Sequence, residues 1–146
     1  MAIERTFFMV KPDGVKRYLS NLILSKIGES GFKILVRRRT MVTREQAEEL
    51  YSVHKGKPFY DGLINFITSG PCIMTVIEGE DAVSRIRAMM GKTDPREAAP
   101  GTFRGDNIGD PLFTEDGTMM NICHGSDSTE SAKREIAVFF NEKDIK

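Results

Sequence analysis

The chain has 146 residues, 40% hydrophobic and 29% charged, with 21 Lys plus Arg against 21 Asp plus Glu. That length supports one domain over residues 1–146 with a full core, and the composition is that of a globular protein rather than a disordered or fibrous one. Zero formal net charge excludes a global field that recruits nucleic acid or an anionic membrane, so any anion site must be built locally.

Ile3 to Val10 reads as a strand, ended by Lys11-Pro12-Asp13-Gly14, where proline and the Asp-Gly pair predict a turn. Lys11 is then at a strand end, either as a site residue or as an edge lysine that discourages aggregation. Leu19, Leu22, Ile23 and Ile27 recur at helical spacing until Gly31, and Phe32 to Met41 returns as a strand. Alternation there sends Arg38 to the face opposite Arg37 and Arg39, so the three form no single basic patch, and a solvated or inter-subunit face is expected. Thr43 with Gln46 makes a capping box for a helix through Ala47, Leu50 and Tyr51. Pro58 is expected to start a second helix with Phe59, Leu63, Phe66 and Ile67 on one face. On that pattern Phe59 is core; at the helix start it could equally stand at a cleft mouth and stack on a flat ligand. Tyr51 has the same ambiguity, with a hydroxyl that needs a partner if buried.

Pro71 to Glu78 reads as the third strand, followed by a helix over Asp81 to Met90 that turns Ala82, Val83, Ile86, Met89 and Met90 inward. Arg87 projects from its polar side, where a cation complements the helix C-terminus. Gly91-Lys92-Thr93 is not a P-loop, because the first glycine of that motif would fall on Ile86, inside a helix. From Thr93 to Gly117 runs a stretch rich in Gly, Pro and Asp, and an unstructured loop this long is usually functional or makes subunit contacts. Within it Arg104 is either a phosphate ligand or a loop arginine bridging carbonyls. A last strand is expected near Thr118 to Cys123. The resulting order predicts an α/β domain with helices on a four-stranded sheet, leaving open a parallel wound sheet or a split βαβ arrangement.

His124 then falls at a strand-to-helix junction, because Asp127 or Ser128 can cap a helix whose apolar residues are Ala132, Ile136, Phe139 and Phe140. Such a junction aims free N–H groups and the positive end of a helix at an anion, and Gly125 leaves space beside the ring. Glu135 falls on the edge of the apolar stripe with no basic residue three or four positions away, which suits a carboxylate that orients an imidazole. A nucleophilic or proton-transferring His124 facing a phosphate is the sharp reading. One rival is a serine hydrolase using Ser126 with His124 and Asp127, weakened by their adjacency and the missing GxSxG elbow. Another is a nucleic-acid module built on Arg37, Arg38 and Arg39, against which the zero net charge argues. Cys72 and Cys123, like His54 and His124, lack CxxC or HxxxH spacing, which argues against structural zinc and fits a reducing cytoplasm. Phe7 to Val10 is too short an apolar run for a signal or membrane segment.

Asn121-Ile-Cys-His124-Gly-Ser-Asp-Ser128 resembles the active-site signature of the nucleoside diphosphate kinase family. Further similar blocks follow in order along nearly the whole chain: Glu4-Arg-Thr-Phe7 with Lys11-Pro-Asp-Gly14, Tyr51, Lys57-Pro-Phe59, Ser69-Gly-Pro71, Gly91-Lys-Thr93-Asp-Pro95 and Pro100-Gly-Thr-Phe-Arg104-Gly-Asp106. The resemblance implies a ferredoxin-like βαββαβ core, a cytoplasmic homo-oligomer (hexamer or tetramer), and ping-pong transfer of a γ-phosphate from a nucleoside triphosphate, usually ATP, to a nucleoside diphosphate. It implies a phosphohistidine on His124 and Mg2+ carried by the nucleotide phosphates. Residue by residue, His124 would accept the phosphate, oriented by Glu135. Lys11 and Asn121 would hold the ribose hydroxyls and phosphate end; Tyr51, Arg87, Thr93 and Arg104 would surround the phosphates; Phe59, flanked by Leu63, would stack on the base. The segment from Arg104 to Asn121 is several residues longer than is usual in the family, so no base or subunit contact is carried over from it. Cys123 is expected to point away from the imidazole.

Overall fold

The computed structural model describes residues 2–145. Its strands are β1 (Ile3–Val10), β2 (Lys33–Met41), β3 (Pro71–Glu80) and β4 (Cys123–Gly125), joined in one sheet of order β2-β3-β1-β4. Every neighbouring pair is antiparallel, which resolves the open choice in favour of the split, ferredoxin-like arrangement. β1 is central because Phe7 to Val10 is apolar at four successive positions, and such a strand must be covered on both faces.

Helices supply that cover: α1 (Pro12–Lys16), α2 (Ser20–Glu29), α3 (Arg44–Leu50), α4 (Tyr60–Ile67), α5 (Ala82–Met90), α6 (Phe103–Asp106) and α7 (Thr129–Phe139). Phe8, Val10, Ile73 and Ile77 pack with Ile23 and Ile27 of α2, Ile86 and Met90 of α5, and Phe103 of α6. Phe7, Met9, Met74 and Val76 face the other way, onto Leu50 of α3, Ile64 and Ile67 of α4, and Phe139 of α7. The rings of Phe7 and Phe139 stack at 5.1 Å. The Thr43–Gln46 capping box forms as expected, with N–H to side-chain oxygen distances of 3.1 and 3.0 Å. No described helix is long and apolar enough to cross a membrane.

Five expectations are corrected. Lys11 to Gly14 does not make a simple turn: Pro12 opens the short helix α1 at its first position, where the missing N–H costs nothing. Leu22 is 47% exposed and Leu24 is buried instead, because α2 starts only at Ser20 and turns positions 23, 24 and 27 inward. α4 begins at Tyr60, not Pro58, and Phe59 precedes it with 52% of its surface exposed; it is not core. The stretch from Thr93 to Gly117 is partly ordered by a 3-10 turn at Pro95–Glu97, by α6, and by a Phe113–Met119 bridge. The last strand is Cys123–Gly125 rather than Thr118 to Cys123, so His124 is inside β4 rather than after it.

The shift in β4 has a local cause. Ile122 has φ 75°, and the Cys123 N–H donates to the Asn121 carbonyl at 2.8 Å, closing a three-residue γ-turn in place of strand. A buried β-branched residue in that region costs about 1–3 kcal/mol and persists only when its surroundings hold it there. Two of the three arginines of β2 find partners within the chain, Arg37 on Asn21 and Arg38 on the Phe139 carbonyl and Asp144.

Candidate active site

His124 is the middle residue of β4, in register with Met9 of β1. Its Nε2 lies 2.7 Å from Glu135 Oε1, and its ring meets Tyr51 edge-on at 5.7 Å and Phe7 at 5.9 Å between centroids. Glu135 is not at a solvated margin: it is 4% exposed on the inner face of α7. A carboxylate there needs partners. Besides the imidazole they are the Ser126 hydroxyl, which donates to Oε1 at 2.9 Å, and Arg134, whose Nη2 lies 3.7 Å from Oε2. The sequence reading considered only cations three and four positions away and so missed the adjacent arginine. A neutral imidazole whose Nε2–H donates to a carboxylate keeps its lone pair on Nδ1.

Ser126 is almost fully buried and bonded to Glu135 rather than to His124, so the serine-hydrolase arrangement is not formed. Its role as a buttress was overlooked, although strand alternation places residue 126 on the same side as residue 124. Cys123 faces the opposite layer, packed with Val10, as expected; burial pushes its thiol up to about 11.

Cations line one end of the site. Lys11, 6% exposed, donates from Nζ to Asn121 Oδ1 at 2.8 Å, and Asn121 Nδ2 donates to the Thr93 carbonyl at 2.9 Å. Burial, and then the like charge of Arg104, pull the Lys11 ammonium down to about 8 against the opposing pull of Asp13. Arg104 bridges three carbonyls, donating to Asn121 at 3.0 Å, Gly91 at 3.2 Å and Cys123 at 2.7 Å, while its side chain still reaches the cleft wall. Arg87 donates to the Gly125 carbonyl at 3.1 Å, which ties the end of α5 to the strand that carries His124.

At the other end Phe59 stands exposed, with His54 5.2 Å from its ring and Lys57 Nζ 5.8 Å from its centroid. Leu63 is half-buried behind it on α4. The segment between Arg104 and Asn121, from which no contact was carried over, forms the facing wall through Phe113 and residues 116–119. Gly62 of α4 comes too close to Thr118 Oγ1 to admit a Cβ. The cleft between these walls has a volume of about 970 Å³, in the range of small-molecule sites. Lys11, Tyr51, Phe59, Leu63, Arg87, Thr93, Arg104, Asn121, His124 and Glu135 all line it. Among the described residues no three His, Cys, Asp or Glu side chains gather to hold a metal ion.

The pattern that defines nucleoside diphosphate kinases matches residues 4–145. The nucleoside diphosphate kinase of Hyperthermus butylicus is 47% identical over 145 residues, 99% of this chain and 97% of its own. Among solved structures, a halophilic nucleoside diphosphate kinase from Halobacterium salinarum in complex with CDP superposes with TM-score 0.88 at 42% identity, over 99% of this chain and 92% of that one. A transition state mimic of the Borrelia burgdorferi nucleoside-diphosphate kinase with bound vanadate and ADP is 30% identical, with TM-score 0.89 over 99% of this chain and 90% of that one. A histidine held by a buried carboxylate in a cation-lined cleft is thus found in a chain that belongs, over nearly its whole length, to the nucleoside diphosphate kinase family of enzymes.

Proposed function

We propose that the enzyme transfers the γ-phosphate of a nucleoside triphosphate, ATP as usual donor, to a nucleoside diphosphate by a ping-pong cycle through a phosphohistidine on His124. The observation that carries this reading is the 2.7 Å contact between His124 Nε2 and Glu135, which leaves Nδ1 as the nucleophile. Its lone pair attacks the γ-phosphorus, the bond from phosphorus to the bridging oxygen breaks, and the nucleoside diphosphate leaves. A terminal oxygen of the second diphosphate then attacks the same phosphorus, the P–N bond breaks, and the neutral ring returns. Glu135 offsets the positive charge that the ring acquires, with Ser126 and Arg134 holding the carboxylate.

Lys11, Arg87 and Arg104 face the phosphates in this reading, together with Tyr51 and Thr93. A cation about 4 Å from a phosphate oxygen contributes roughly 4 kcal/mol at an effective dielectric of 20, before desolvation. Lys11 and Asn121, already linked, hold the ribose and phosphate end, and Phe59 with Leu63 receives the base. The cationic donor set suits a metal that arrives on the nucleotide. Mg2+, held largely by phosphate oxygens and water, adds further neutralisation when bound. CDP in the Halobacterium relative and ADP with vanadate in the Borrelia relative belong to the ligand class assigned here. The homo-oligomeric state, hexamer or tetramer, and the cytoplasmic setting rest on the family resemblance, and the single domain over residues 1–146 on the chain's length.

Incubation with γ-labelled ATP should leave an acid-labile, base-stable label on the protein, discharged by added nucleoside diphosphate. His124→Ala should take no label and not turn over; a His124→Ala variant that still labelled and turned over would refute the assignment.

A further inference from the structure

We propose that Asp13 is a positioning residue for this transfer: its carboxylate clamps the γ-turn at Ile122 and so sets the placement of the Lys11–Asn121 pair relative to the ring of His124. The Ile122 N–H donates to Asp13 Oδ2 at 3.0 Å, and the Ile122 carbonyl accepts from the Lys11 N–H at 2.7 Å. Both backbone polar groups of the strained residue are therefore held by residues 11 and 13. Gly14 lets the two segments meet, since a Cβ there would lie 2.9 Å from Ile122 Cγ2. On one side of the turn is Asn121, bonded to Lys11 Nζ; two residues beyond Ile122 is His124.

Without an acceptor at residue 13, the buried Ile122 N–H is left unpaired, and the backbone gains a reason to relax toward negative φ. That relaxation rotates Asn121 against His124. Arg104 grips the carbonyls of Asn121 and Cys123, but it also lines the cleft and is not a clean probe. Asp13 is buried beneath the turn and does not line the cleft. Nucleotide contacts are spread over both walls, so a displaced turn affects transfer more than binding.

The kinetic test rests on the phosphohistidine reading; a second measurement does not. In single turnover with ATP, Asp13→Ala should form phosphohistidine about 10- to 100-fold more slowly with nucleotide Kd within about threefold of wild type. Asp13→Asn, which keeps an acceptor oxygen, should remain within about threefold of wild type in rate. Wild-type speed in Asp13→Ala, or Asp13→Asn as slow as Asp13→Ala, would overturn the proposal. Hydrogen exchange at the Ile122 amide, measured without nucleotide, should be about tenfold faster in Asp13→Ala than in wild type and Asp13→Asn. Equal exchange in all three would overturn it whether or not wild type forms a phosphohistidine, whereas missing label with the expected exchange would discredit only the reading of function. If Asp13→Ala does not fold, Asp13→Leu, similar in size and lacking an acceptor, takes its place.

Discussion

Lys11 is charged at neutral pH in a place that disfavours charge. Burial is the larger cause and Arg104 the next, and together they bring its pKa from the ordinary lysine range to about 8. The direction fixes the sign of a pH effect: the ammonium is retained below about 8 and lost as pH rises through that value. If it serves the phosphates, kcat/KM should fall above about pH 8, while kcat, set by enzyme already carrying a polyanion, should fall only at higher pH. Lys11→Met should show a lower kcat/KM throughout and no such limb. A wild-type kcat/KM that stays level from pH 7 to about 9.5 would remove Lys11 from phosphate binding. At this scale residue types were legible but partners were not. Glu135 was singled out from its place on a helical wheel, yet Ser126 and Arg134 became its partners only when β4 and α7 were brought together.

α7 shows what an element adds. Ser128 caps it, accepting the Ser131 N–H at 3.0 Å, and seven residues later Glu135 arrives under the ring of His124. Ser128→Ala should cost about 1 kcal/mol in chemical denaturation and Ser128→Gly only a few tenths. No loss in Ser128→Ala would mean that the hydroxyl contributes nothing as a cap. Elements with strong local signals were legible: β1 from its apolar run, α3 from its capping box, α7 from its cap and stripe. α1 and β4 were not. Pro-Asp-Gly suits a turn as well as a first helical turn, and where α1 meets Val10 and Ile122 the approach at Gly14 is too close for a Cβ, a contact between segments that local sequence does not show. Residues 118–122 are apolar enough for a strand, but the clamp on Ile122 diverts them into a γ-turn.

The whole molecule makes this cleft from both layers of helices and the β4 edge of the sheet, and in the proposed function the exposed ring of Phe59 receives the base. Stacking uses a face that every base has, and it is worth about 1–3 kcal/mol per base. ATP, GTP, CTP and UTP should therefore be used with kcat/KM values within about tenfold of one another, and Phe59→Ala should lower all four by a similar factor. A variant that lost only purines would point to a different base contact, with the Phe113–Met119 wall the first place to look. The amino-acid sequence alone determined the four strands and the main helices between them, because periodicity, caps and turn residues are local properties, and its ordered motifs carried the family resemblance that named ten residues now found along the cleft. The sheet order, the burial of Glu135, the depressed Lys11 pKa and the wall built from residues 113–119 were decided only by tertiary structure. Each depends on contacts between segments as far apart as Lys11 and Asn121, and desolvation exists only once the chain has closed over them.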